Sequence, residues 1–142
     1  MATFNKFQDF SEQLTKGTQN FGTDTYKVAL SNVAPVATNT VLADITQISA
    51  TNGYTSGGTT TTVTVAEVSG TTTVSGTQVV FTASGGSMAT FRYVVLYNDT
   101  TASPNKPLVG WWDYGSAVTL ADTETFTVKF SNASPGAIFT LS

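Results

Sequence analysis

Few residues of this chain can carry chemistry, and their spacing limits what each can do. Asp122 and Glu124 lie two apart. On an extended strand such a pair shares one face at about 6.8 Å, and two carboxylates at roughly 5–9 Å are the arrangement of a glycosidase. No apolar pocket residues flank them to raise one pKa, so a solvated turn leading into the strand of Phe126 is the plainer reading. Ser56-Gly57-Gly58 and Ser84-Gly85-Gly86-Ser87 look like fragments of phosphate-cradling loops. Neither has the lysine or the following helix that a P-loop needs. Asn98-Asp99 offers oxygen ligands to Ca²⁺, but no alternating Asp/Asn run surrounds it. The most ligand-like cluster is Trp111-Trp112-Asp113-Tyr114. Neighbouring strand residues point to opposite faces. One indole is therefore expected in the core and the other at the surface or under a partner. There it could stack on a sugar ring beside Asp113, or anchor a protein interface.

The chain has no histidine and no cysteine. The usual general base, the commonest metal ligand and the thiolate nucleophile are thereby missing, and there is no Gly-x-Ser-x-Gly elbow. Nine carboxylates, six Lys/Arg and the tyrosines are the remaining ionisable groups. We assign no catalytic residue, no metal ligand and no cofactor, and expect a protein that is not an enzyme.

Charged residues make up 11% of the 142 positions, with a net charge of −3, and 28 threonines take up much of the polar surface. Threonine is stiff at χ1 and suits half-exposed strands. Lys and Arg are scattered, so duplex nucleic acid held by phosphate neutralisation is not expected. No run of about 18 apolar residues predicts a membrane span, and the N-terminus has no signal-peptide core.

These residues must be positioned mostly by strands. Phe4, Phe7, Phe10 and Leu14 fall within one arc at 100° per residue and predict an amphipathic helix over 3–17, capped by Thr3 and ended by Gly17. It would close one side of a sheet or dock on a partner subunit. Thr25–Ser31 predicts a half-buried strand with Tyr26, Val28 and Leu30 inward. Residues 41–49 predict a short helix or irregular turn. Residues 51–58 predict a flexible loop, 59–68 a Thr/Val strand, and 78–83 another strand. Thr90–Asn98 carries apolar residues on both faces, with Phe91, Tyr93, Val95 and Tyr97 on one and Val94 and Leu96 on the other, as a central covered strand would. Leu108–Tyr114, the Phe126/Val128/Phe130 run and Ala137–Leu141 complete the set. Roughly seven or eight short strands with frequent turns predict one all-β domain over 1–142, an antiparallel β-sandwich or jelly-roll-like barrel.

Several strings carry a resemblance. They are Thr25-Tyr-Lys-Val-Ala-Leu, the segment from Ala34-Pro-Val-Ala to Ile48-Ser, Asn52-Gly-Tyr-Thr-Ser-Gly-Gly-Thr, Phe81-Thr-Ala-Ser-Gly-Gly-Ser, Phe91-Arg-Tyr-Val-Val-Leu-Tyr-Asn-Asp-Thr and Pro107-Leu-Val-Gly-Trp-Trp-Asp-Tyr-Gly. Together, from about Phe4 to Leu141, they resemble a family of small structural proteins in the virions of tailed bacteriophages. The resemblance brings no catalytic motif, so it transfers no functional residue. It implies a virion protein assembled in the host cytoplasm, with a capsid decoration (cement) protein as the favoured role. Its partners would be the major capsid protein and further copies of itself, as a dimer or trimer. Phe4, Phe7, Phe10 and Leu14, with Trp111, Trp112 and Tyr114, are then the expected subunit and shell contacts. A minor tail or neck component, and a carbohydrate-binding module of a receptor-binding device, are the alternatives.

Overall fold

A computed structural model describes residues 2–142. Ten strands, all paired antiparallel, and one helix make up its regular structure. In chain order they are β1 (Asn5–Lys6), α1 (Gln8–Thr15), β2 (Tyr26–Ser31), β3 (Thr59–Thr61), β4 (Val63–Val68), β5 (Thr71–Gly76), β6 (Val79–Thr82), β7 (Phe91–Asn98), β8 (Leu108–Val118), β9 (Thr125–Val128) and β10 (Gly136–Leu141). A five-stranded sheet runs β1-β8-β7-β2-β3, a three-stranded sheet β10-β5-β4, and β6 pairs with β9. The architecture is the expected all-β sandwich with a short N-terminal helix; the sheets do not close into a barrel.

The five-stranded sheet is covered on both faces. On one, Val28, Leu30, Val94, Leu96 and Val109 meet Val74, Phe81, Val128 and Ile138 of the two smaller sheets in the main core, together with Phe130 just beyond β9. On the other, Ala29, Val95, Tyr97 and Leu108 are roofed by Leu42, Ile45 and Phe7. The central strand β7 is thus covered on both sides, as its apolar run predicts. β2 is buried on both faces as well, because Ala29 and Ser31 lie under the roof, and is not half-buried as alternation suggests. Phe91 joins Val94 and Leu96 in the main core, not Tyr93, Val95 and Tyr97. The pairing slips there: Phe91 faces Val118 and Tyr93 faces Asp113, so β8 bulges between those positions.

Expectations change for two further segments, residues 3–17 and 59–68. The helix spans Gln8–Thr15 and not 3–17, and its N-cap is Phe7, with no side-chain cap bond, instead of Thr3. Asn5 and Lys6 pair in register with Trp111 and Gly110, so that stretch is the edge strand β1. The helix does end at Gly17, at φ 79°, where the Gly17 N–H donates to Leu14 O and the Thr18 N–H to Gln13 O. That is the Schellman arrangement, which a residue with a Cβ adopts only at a cost.

Residues 59–68 are two strands in different sheets. The switch is at Thr62, whose N–H donates to Thr77 Oγ1 (3.0 Å) and whose carbonyl accepts from the Thr77 N–H (3.0 Å). Residues 41–49 contain a single 3₁₀ turn at Leu42–Asp44; Leu42 and Ile45 roof the sheet while Ile48 enters the main core.

Candidate functional site

Asp122 and Glu124 lie in the turn before β9, not on a strand. Asp122 accepts from the Gly85 N–H (3.0 Å) and Glu124 from the Ala121 N–H (2.8 Å), so each carboxylate secures a turn. The glycine loops also serve the chain itself. The Gly57 N–H donates to Gln47 Oε1 (2.7 Å), the Gly57 carbonyl accepts from the Tyr97 hydroxyl (2.5 Å), and Asn52 Nδ2 donates to the Ser87 carbonyl (2.8 Å). Asn98 is buried: its Oδ1 accepts from the N–H groups of Thr100 and Thr101, and its amide donates to Asp24 (2.7 Å). Asp99 is held by Lys106 (2.8 Å) and Lys27 (3.3 Å). Burial alone would raise its pKa, but the two ammonium groups pull it below the usual carboxylate value. Among the described residues no group of three or more His, Cys, Asp or Glu could hold a metal ion, and no helix is long and apolar enough to cross a membrane.

The aromatic residues are brought together, though not as two separate surfaces. β8 sends Trp111 to the roofed face and Trp112 to the main-core face, as strand alternation requires. β1 is paired alongside, so Phe4 and Phe7 reach those same rings. Phe7 lies 4.6 Å from Trp111 and Phe4 5.3 Å from Trp112, centroid to centroid. Gly110 makes room for this, since a Cβ there would stand 2.2 Å from a Phe4 ring carbon. The N-terminal aromatics and the tryptophan pair are therefore each other's partners. Phe7 and Phe10 are buried within the chain and offer no surface. Phe4, Leu14, Trp111 and Trp112 stay half-buried, and Tyr114 is 54% exposed.

Two apolar hollows result. One, of about 220 Å³, is lined by Val94, Trp112, Tyr114, Phe126, Val128 and Lys129. Tyr114 closes one side edge-on to Phe126, ring centroids 5.2 Å apart. The other, of about 570 Å³, lies between α1 and β10 and is lined by Phe4, Phe10, Leu14, Phe139 and Leu141. Pattern reading of the sequence left out Phe126 and Phe139 as surface residues; both sit in alternating runs that read as core.

Asp113 is not free beside the indoles. Arg92 grips it in a two-pronged pair, Nε to Oδ1 at 2.8 Å and Nη2 to Oδ2 at 3.0 Å, and the Gly115 N–H adds a third bond. The guanidinium, then the backbone bond, hold its pKa below the ordinary aspartate value. The site thus presents rigid aromatic edges with their one carboxylate already neutralised. That suits an apolar side chain from a protein partner better than a ligand needing a free acceptor. Comparison with models of known protein families, with curated proteins and with solved structures found no match.

Proposed function

We propose that this chain is a structural protein of a tailed-bacteriophage virion, a decoration protein that binds the assembled head shell. The observation that supports the reading is the hollow framed by Trp112, Tyr114 and Phe126 on a rigid sheet. It is apolar, partly open and poor in charge, which is how a protein hot spot is built before its partner arrives. A protein that binds only the assembled shell stabilises it by mass action, and repetition over a lattice multiplies weak contacts into avidity.

The test is binding of purified protein to undecorated heads, followed by imaging. Occupancy of defined lattice positions is expected. Tyr114→Ala removes an exposed ring and should weaken binding roughly tenfold or more while leaving the fold intact. Absence from heads combined with labelling of the tail would move the protein to the neck or tail. Retention on a glycan array, abolished by Trp112→Ala, would replace the shell reading with a sugar-binding one.

A further inference from the structure

The three-stranded sheet has two edge strands, β10, whose pairing is interrupted between Ala137 and Phe139, and β4, whose pairing is regular over six residues. Among the described residues β4 has β5 as its only strand neighbour, and its six residues include no proline and no lysine. Edge strands usually carry such residues to block further pairing. Its one charge is turned away, because Glu67 Oε1 accepts from the Gly70 N–H (2.6 Å) at the hairpin tip.

Two observations fix which backbone groups face outward. The Thr77 N–H donates to the Thr62 carbonyl, so Thr62 points toward the β5 side. At the other end the hairpin turns through Ser69 and Gly70, both at positive φ, between the paired Val68 and Thr71. A two-residue turn of that kind is closed by a hydrogen-bonded pair, so Val68 also points toward β5. Alternation from either end leaves the N–H and C=O groups of Val63, Val65 and Glu67 pointing away from the sheet.

Side chains supply a matching pattern. Phe139, Val74 and Val65 stand directly opposite one another across β10, β5 and β4, an apolar row that ends at the open edge with Val65 46% exposed.

We propose that a second copy of this chain pairs antiparallel along β4 about a two-fold axis through Val65, giving a continuous six-stranded sheet. In that register Val65 exchanges both backbone hydrogen bonds with the partner's Val65. The row continues as Phe139–Val74–Val65 into its own mirror order, and Glu67 faces the partner's Val63, so no two carboxylates meet. Such a contact is isologous and closes on itself. It holds whether or not the chain binds a phage shell.

Sedimentation velocity of the full chain across a concentration range tests it, with a rising dimer fraction expected. Val65→Pro removes an N–H that bonds nothing inside the sheet, and proline is tolerated on an edge. The variant should keep its circular dichroism spectrum and sediment as a monomer. Val65→Cys places the only thiol in a chain without cysteine. Across a hydrogen-bonded pair the Cα separation of about 5.5 Å suits a disulfide. Mild oxidation should link the dimer covalently, whereas Val68→Cys should not. A monomer at every concentration with no link through position 65, or a dimer that survives in folded Val65→Pro, overturns the proposal. If Val65→Pro fails to fold, the contrast between the two cysteine variants decides.

Discussion

Gly58 carries more of the fold than its size suggests. Its φ is 74°, and a Cβ there would stand 1.8 Å from the Val28 carbonyl oxygen on β2. The neighbouring Gly57 carbonyl takes the Tyr97 hydroxyl, and Gly57 itself is tied to Gln47, so this loop is a seam holding the roof segment to the sheet. Relief by sliding the loop would break both bonds. Gly17 has a similar φ of 79° but nothing within 4 Å of its would-be Cβ. The two alanine variants therefore separate backbone strain from collision. Gly17→Ala should lose about 1–2 kcal/mol, the cost of the left-handed conformation alone. Gly58→Ala should lose at least about 4 kcal/mol, a value reserved for variants that break something specific. Urea denaturation of both measures the difference, and equal losses would refute the role given to the Val28 contact. The run Ser56-Gly57-Gly58 was conspicuous in the sequence, but a string of residue types cannot distinguish a glycine that admits a phosphate from one that admits a carbonyl of its own chain.

The N-terminal elements act as a clasp around the edge of the five-stranded sheet. β1 extends the sheet beside β8, Phe7 then joins the roof, and α1 turns Phe10 into the main core on the opposite face. One short segment thus joins two cores that the sheet keeps apart. Phe7 is 0% exposed, so Phe7→Ala should cost about 3–5 kcal/mol and leave Trp111 without its aromatic neighbour. Tryptophan emission should shift to the red in the folded variant. An unchanged spectrum and a loss under 1 kcal/mol would show that β1 pairing alone holds the clasp. The same segment shows where sequence patterns stop. Phe4, Phe7, Phe10 and Leu14 fit helical spacing, yet the spacing of aromatics on a clasp that crosses an edge is the same. Only Gly110, next to the tryptophan pair, hinted that a ring lies over β8. By contrast, β7 was legible because its apolar run admits only a doubly covered strand, and the opposite facing of Trp111 and Trp112 followed from strand alternation. β3 and β4 were not separable and β5 was not read as a strand, since threonine occupies both faces of a strand equally well and leaves no period to read.

Across the whole molecule, the absence of histidine sets the response to pH. Nothing in the side-chain set ordinarily titrates between about pH 5 and 8. On the acid side the folded chain favours ionised carboxylates. Asp44 is held low by the N–H groups of Thr40 and Val41, Asp113 by Arg92 and the Gly115 N–H, and Asp99 by Lys106 and Lys27 against its burial. A folded pKa below the unfolded value of about 3.9 means stability that is complete above that value and drains away as pH falls through the folded pKa. On the alkaline side burial keeps three tyrosines protonated: Tyr54 is pushed up to about 12, and Tyr26 and Tyr97 are raised as well. Their folded pKa values exceed the unfolded value of about 10, so their contribution is complete below it and is lost as pH rises past it. The two edges leave a plateau of nearly constant Tm from about pH 5 to 9, falling below about pH 4 and above about pH 10. Thermal unfolding followed in steps of one pH unit measures it. A step in Tm between pH 6 and 8 would contradict the placement of the buried polar groups around Asn98 and Asp99. Asp99→Asn should leave the plateau in place and shift only the acid edge, because it removes one of the carboxylates whose ionised form the fold favours.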